Sequence, residues 1–320
     1  MKKAIVFAVN VAVFLLVLLV LPAFVDVPKL FQYFGQANLL LVVLAAAVYA
    51  FSHFLGVIRL GWLFEKMGHA VETAELFRSY MAALFLSDLT PGRIGYSYIV
   101  LRLRKNKVPA PVTTKAMGLV LSSDFLVRAG AVLFFAVTVA SVFSSQLFWI
   151  AALVGGIAVA MFVGATREIR LLTRLLEKVP VFGSRLATAY SQVFSYRIGK
   201  KLFAASAGVS LTGMFLRGFC WLLVANALFP QIGFGLAGEW NMSLLAAVAT
   251  GVSFIPVSLS GFGVVEGVGA LFLNLLFGLS LTEAAAVMFL IRAEEFATDL
   301  IIGGWGLKGD FQQAVESIAN

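Results

Sequence analysis

The chain has 320 residues, 61% of them hydrophobic and 12% charged, with a mean hydropathy of +0.98 and a formal net charge of +8. Soluble domains carry roughly 25% charged residues, so this composition excludes a water-soluble globular fold and predicts an all-α polytopic integral membrane protein. The basic excess does not announce nucleic acid as a partner, because it is gathered into loops between apolar runs.

Runs of roughly 20 apolar residues, the length that crosses a bilayer, fall at 4–25, 38–60, 113–141, 147–165, 202–228 and 281–307 and predict six full spans. The first follows Met1, Lys2 and Lys3, but it is longer than a signal h-region and Pro22-Ala23-Phe24 lacks a small-x-small cleavage pattern, so an uncleaved span is expected. Two further apolar stretches, 76–101 and 241–278, are each cut near the middle by a polar, glycine-bearing turn: residues 87–95 read SDLTPGRIG and residues 256–263 read PVSLSGFG. The halves are too short to span, and both stretches read as re-entrant helical hairpins.

Arg102, Arg104, Lys105 and Lys107 form one basic cluster, and Arg167, Arg170, Arg174, Lys178, Arg185, Arg197, Lys200 and Lys201 crowd the longest loop. By the positive-inside rule both face the cytoplasm, where they set topology and touch anionic head groups. Following the spans from these anchors puts both termini in the cytoplasm of a multi-pass cell-membrane protein. The first hairpin then enters from the cytoplasm and the second from outside. One membrane domain, 1–320, thus divides into two units of the order span-span-hairpin-span with opposite orientation, about 1–141 and 147–307. Inverted repeats of this kind are a common transporter plan. Two short matches accompany it: residues 125–129 (FLVRA) answer 289–293 (FLIRA), and Gly92-Arg93-Ile94-Gly95 answers Ser260-Gly261-Phe262-Gly263.

Irregular backbone at membrane depth is tolerated only when buried in protein or lining a wet cavity, so the two turns mark the expected substrate site. A half-helix is predicted to start after Pro91 and another after Ser260, each with N–H groups lacking intrahelical acceptors and a positive dipole end. Such ends attract anions. Pro91, Gly92, Arg93 and Gly95 on one side, and Ser258, Ser260, Gly261 and Gly263 on the other, would then surround a phosphate-bearing lipid head group, with Arg93 supplying a full charge. The competing reading is that glycine and proline only make the turns while Arg93 snorkels to the surface.

Further intramembrane charges lie on the third, fifth and sixth predicted spans and on one half-helix. Asp124 and Arg128 stand four apart on one helical face and are expected to form a structural ion pair. Arg292, Glu295 and Asp299 share a face of the last span, and Glu294 points elsewhere. Glu266 follows Gly263 by three residues; it either pairs with Arg93, Arg217 or Arg292 or carries a proton during transport. Cys220 is the single cysteine and supports neither a disulfide nor a metal site. His53 and His69 bring no zinc ligand set, and no serine–histidine pairing suggests a nucleophile. His53 reads as a packing residue and His69 as a solvated one. No cofactor, metal or catalytic residue is expected.

At these turns the chain resembles a known family. Pro91-Gly92-Arg93-Ile94-Gly95, the basic stretch from Arg102 to Pro109, and Ser260-Gly261-Phe262-Gly263-Val264-Val265-Glu266 are similar to the two signatures of the lysylphosphatidylglycerol synthase transmembrane region family, also called flippase-like. The resemblance covers nearly the whole chain and implies a lipid flippase module. Because some members are fused to aminoacyl-transferase or glycosyltransferase domains, it also implies partnership with a glycosyltransferase or lipid-modifying enzyme. The first family motif often continues from glycine to an acid, whereas Tyr96 follows Gly95 here, so no role of that acid carries over. The functional expectation is movement of an amphipathic lipid with an anionic or phosphate-bearing head group between leaflets. The alternative is an accessory subunit or enzyme of lipid head-group modification or lipid-linked glycan assembly.

Overall fold

Why these residues form helices, and which way the helices face, follows from placing a mostly apolar chain in a solvent that cannot hydrogen bond to its backbone. The computed structural model describes residues 25–90, 93–139, 199–253 and 261–319, with short pieces at 156, 174, 187–188 and 191–193. Among the described residues the regular elements are all helical: α1 (Val27–Gly35), α2 (Leu39–Lys66), α3 (Thr73–Asp88), α4 (Tyr98–Lys105), α5 (Ala110–Val139), α6 (Lys200–Leu228), α7 (Leu236–Val252), α8 (Val264–Phe277) and α9 (Leu281–Ala319). Short 3₁₀ turns at Ile94–Ser97 and Pro230–Ile232 precede α4 and α7. The predicted spans at 4–25 and 147–165, and most of the basic loop, lie outside the described residues.

Among the described residues three helices are long and apolar enough to cross a membrane: α2, α5 over Ala110–Phe134, and α6. Their polarity is turned inside out relative to a soluble bundle. On α2, Leu39, Leu40, Val43, Leu44, Phe51 and Phe54 are exposed, while Tyr49, His53 and Arg59 are buried. Along α9, Phe296, Leu300, Ile301 and Trp305 face outward while Glu294, Glu295, Thr298 and Asp299 are buried. Apolar surface of this extent is stable only against lipid, and the protein is an α-helical membrane protein. Helix α9 runs past the predicted end at 307 to Ala319, because residues 308–319 contain no proline and their one glycine, Gly309, does not break the ladder.

The chain forms two compact units. One gathers the described residues of Met1–Phe54, Arg78–Tyr98 and Met214–Asn320; the other gathers those of Leu55–Phe77 and Ile99–Gly213. In the first, α1 is started by Asp26, whose carboxylate accepts from the Lys29 N–H at 3.1 Å. It packs through Val25 and Leu30 on Ala285 and Ala286 of α9. Small residues set the closest helix contacts, as is usual where lipid supplies no hydrophobic drive. A Cβ at Gly303 would stand 2.5 Å from the Met81 carbonyl oxygen, and one at Gly306 2.8 Å from that of Arg78. Gly218 likewise admits Ser243 of α7 to the backbone of α6, and Gly269 admits the Met288 side chain of α9 to α8.

Candidate functional site

The first polar turn is built by its own side chains. Helix α3 ends at Asp88, and the Thr90 hydroxyl donates to the Leu86 carbonyl at 3.0 Å while accepting the Gly95 N–H at 2.8 Å. That pair of bonds folds the chain back on itself. A Cβ at Gly95 would overlap the backbone of Leu86 and Ser87, so the two arms touch main chain to main chain and glycine is required. Arg93 lies between them in the left-handed region, φ 57° and ψ 32°, a conformation that costs a non-glycine residue about 1–2 kcal/mol. The returning arm begins as the 3₁₀ turn at Ile94 and becomes α-helical only at Tyr98, later than the expected start after Pro91.

In the second turn the helix also starts late, at Val264 rather than after Ser260. Gly261 (φ 77°) and Gly263 (φ 86°) supply the positive torsions that turn the chain into α8. At Gly261 a Cβ would stand 2.7 Å from Ser253 Cα and 2.9 Å from Val265 Cγ2. The first free N–H of α8, that of Gly263, donates to Glu266 Oε2 at 2.5 Å. Thus the helix N-terminus expected to await an anion is already capped by a carboxylate of its own first turn.

Around this carboxylate the first unit gathers a charge network. Arg292 Nε lies 3.1 Å from Glu266 Oε1, and Arg292 Nη1 lies 3.9 Å from Glu295 Oε2. Glu295 Oε1 also accepts from Arg217 Nη1 at 2.7 Å and from the Trp221 indole at 3.0 Å. Arg217 sits over the Tyr49 ring, 5.0 Å from its centroid. One turn further along α9, the Tyr49 hydroxyl donates to Asp299 Oδ2 at 2.9 Å. On the other face Glu294 accepts from Thr298 at 3.2 Å and from the Cys220 thiol at 3.5 Å. Each carboxylate therefore meets donors on other helices, the condition under which buried ions survive.

A small recess opens beside this network. Arg93 from the first turn, Glu266 of α8, and Arg292 and Glu295 of α9 supply its charge; Thr250 and Ser253 supply hydroxyls; Trp221, Val265, Met288 and Ile291 supply apolar wall. Arg93 Nη2 also stands 3.9 Å from Asp88 Oδ1, a looser pair than Arg217 and Glu295. Basic, hydroxyl-bearing and apolar groups in one recess suit an amphipathic ligand, whose charged and oily parts need different walls.

Of the residues singled out in the sequence, Arg93, Glu266, Arg292 and Glu295 thus line one cavity, and Arg217 reaches it through Glu295. Gly95, Gly261 and Gly263 shape the two turns. Pro91, Gly92, Ser258 and Ser260 lie outside the described residues. Glu266 pairs with Arg292 among its three candidate arginines. His53 is buried against Tyr49, ring centroids 4.5 Å apart, with its Nδ1 3.4 Å from the Tyr80 hydroxyl.

Asp124 and Arg128 belong to the second unit. There Asp124 meets Arg59 of α2 at 2.9 Å, and the Ser210 hydroxyl donates to it at 2.6 Å. Arg128 lies with its guanidinium 5.9 Å from the Phe125 centroid and acts on Asp124 as a second nearby positive charge. Arg59 donates as well to Ser210 Oγ at 2.6 Å, and Ser123 and Ser206 share a bond of 3.0 Å. The partnership of Arg59 with Asp124, like those of Tyr49 and Trp221 in the first unit, joins residues far apart in sequence and leaves no local spacing to detect.

No curated protein matches this chain. The profile of the Lysylphosphatidylglycerol synthase TM region matches residues 7–303, a segment that contains both turns, the cavity and every charged side chain of the two networks, and the chain belongs to that family.

Proposed function

We propose that this protein moves an amphipathic lipid with an anionic or phosphate-bearing head group between the leaflets of the cell membrane. In this reading it is one membrane domain of six spans and two re-entrant hairpins, with inverted halves at 1–141 and 147–307 and both termini cytoplasmic. The family is one of membrane regions associated with lipid head-group chemistry. The observation that carries the proposal is the cavity where Arg93, Arg292 and the start of α8 converge beside apolar wall.

The head-group phosphate meets Arg93 first, on the turn between α3 and α4. It then competes with Glu266 for Arg292 and for the Gly263 N–H, since that carboxylate occupies the place an anion takes at a helix N-terminus. Glu266 so acts as an internal stand-in for the ligand, satisfying both donors while the site is empty of lipid and yielding them when phosphate arrives. Thr250 and Ser253 offer hydroxyls to ester or glycerol oxygens, and the acyl chains follow the apolar wall into the bilayer. A glycosyltransferase or lipid-modifying enzyme would supply or consume the lipid.

Purified protein in liposomes containing fluorescent anionic lipid tests this. Loss of leaflet asymmetry faster than in protein-free vesicles is the expected result, slowed by Arg93→Asn. Conversion of the lipid to a new product would instead favour an enzyme of head-group modification. Unchanged asymmetry and unchanged lipid would refute transport.

A further inference from the structure

We propose that Arg78, Trp305 and Lys308 form a binding site for the head group of an anionic glycerophospholipid that stays at the rim of the first unit instead of entering the recess. Two glycines build it. A Cβ at Gly306 would stand 2.8 Å from the Arg78 carbonyl oxygen and one at Gly303 2.5 Å from that of Met81, so positions rise along α9 as they fall along α3 and the helices run antiparallel in contact. That register sets the side chain of Arg78 against Trp305, its guanidinium carbon 4.7 Å from the ring centroid. Lys308 follows Trp305 by three residues and so lies on the same helical face. All three side chains are exposed, Trp305 by 57%.

The chemistry of this face matches a phospholipid from head to tail. Among the described residues no carboxylate comes within ion-pair distance of Arg78 or Lys308. Glu75, three residues before Arg78 on α3, is held by Arg102 at 3.0 Å and by Asn106 at 3.2 Å. A cation over a ring is held through its charge and not through its N–H groups, so Trp305 orders the guanidinium and leaves its donor fork for phosphate oxygens. An indole beside two cations is an arrangement that settles between head groups and hydrocarbon. From Trp305 the exposed face of α9 continues through Ile301, Ala297 and Ala293 at steps of four. The two alanines leave a trough beside Phe296 and Leu300, which are 39% and 47% exposed. From Trp305 to Ala293 this face runs about 18 Å at 1.5 Å per residue, against about 15 Å for half of a bilayer's hydrocarbon core. A free phosphate uses only its top; a lipid, with acyl chains below the phosphate, uses its length.

The lipid held here is distinct from the one in the transport reading. On α9, Glu295 and Asp299 are buried toward the charge network, whereas Ala293, Ala297 and Ile301 face outward, and none of Arg78, Trp305 and Lys308 lines the recess. The site therefore stands whether or not the protein moves lipid. Its bound phosphate bridges Arg78 of α3 and Lys308 of α9, so membrane composition bears directly on how firmly these helices are joined. Two basic groups near a membrane surface favour an anionic over a zwitterionic lipid by about 20-fold. That preference keeps the site filled even where anionic lipid is a minority component.

Brominated lipids, which quench tryptophan on contact, test the site in the full-length protein. Wild type and Trp305→Phe are placed in phosphatidylcholine nanodiscs with rising fractions of acyl-brominated phosphatidylglycerol or acyl-brominated phosphatidylcholine, and the difference between the two proteins isolates quenching at Trp305. Half-quenching is expected at about 20-fold less phosphatidylglycerol than phosphatidylcholine. Arg78→Gln or Lys308→Gln alone should cut that preference about fivefold, and the two together should bring the lipids within about twofold of each other. Arg93→Asn, in the recess, should leave the preference as in wild type. Equal quenching by the two lipids in wild type, or a preference that survives in the folded double variant, overturns the site; the wild-type comparison decides where the double variant folds poorly. Loss of the preference in Arg93→Asn would place the lipid in the recess and overturns a separate site. Trp305 shielded from both lipids, in a particle carrying two copies of the chain, would assign this face to self-association and overturns it as well. An intact preference with no lipid movement in liposomes leaves the site standing and removes only the flippase reading.

Discussion

Removing Glu295 should destabilise the first unit more than any neighbouring single change, because three donors from two helices depend on it. Its carboxylate receives Arg217 at 2.7 Å and Trp221 at 3.0 Å and stands 3.9 Å from Arg292, with side chains 6% and 14% exposed across the Arg217 pair. Breaking a buried ion pair from one side costs about 3–5 kcal/mol, since the surviving charge stays desolvated. The stranded Trp221 indole adds about 1 kcal/mol or more. Glu295→Ala is therefore expected to lose about 4–6 kcal/mol in reversible denaturant unfolding of the purified protein. Glu295→Gln, which still accepts from Trp221, should lose about half as much. The decisive variant combines Glu295→Leu with Arg217→Leu: removal of both charges should restore stability to within about 1 kcal/mol of wild type while abolishing lipid movement. Additive losses in this double-mutant cycle, or a Glu295→Ala protein within about 1 kcal/mol of wild type, would show that the network is not the unit described here.

Arg93→Asn keeps a residue that tolerates the left-handed conformation, so folded yield should hold while anionic-lipid movement falls at least tenfold; Arg93→Lys should recover only part, since an ammonium cannot grip phosphate through two parallel bonds. Gly95→Ala forces a methyl into the Leu86 backbone and should lower the unfolding midpoint by an amount equivalent to about 1–3 kcal/mol, whereas Gly130→Ala on α5, where a Cβ meets nothing within 4 Å, should be neutral in the same assay. Asp124→Leu strands Arg59 in the second unit and should cost about 3–5 kcal/mol, with Arg59→Met rescuing it in a cycle read by thermal unfolding. Single cysteines in a Cys220→Ser background, placed at Ile94 and at Phe262, should react with impermeant reagents from opposite faces of sealed vesicles; labelling of both from one face would refute the inverted arrangement.

Part of the site is legible in residue order, and what is not has two physical causes. The polar turns stand out because glycine, proline and charge interrupt apolar runs, and the acidic face of α9 follows from the spacing of Arg292, Glu295 and Asp299. Spacing also placed Asp124 beside Arg128, yet it is blind to Arg59, 65 positions earlier, which makes the 2.9 Å contact. Tyr49 and Asp299 are 250 positions apart. Helix starts fall late for a local reason: Arg93, Gly261 and Gly263 all adopt positive φ, so regular helix begins only once these residues are passed, at Ile94 and at Val264. Glu266 carries the subtler lesson. A glutamate three residues after a helix-starting glycine is a capping signal, and reading it so would have shown that the second N-terminus is occupied from within.

The close approach at Gly303 and Gly306 also limits how the protein can move. With the α9 backbone against the carbonyls of Met81 and Arg78, neither α3 nor α9 can slide a turn along the other without driving a side chain into main chain. The two helices behave as a single stiff beam with Asp88 at one tip and Asp299 alongside. Any conformational cycle must therefore carry these parts of α3 and α9 together as one body.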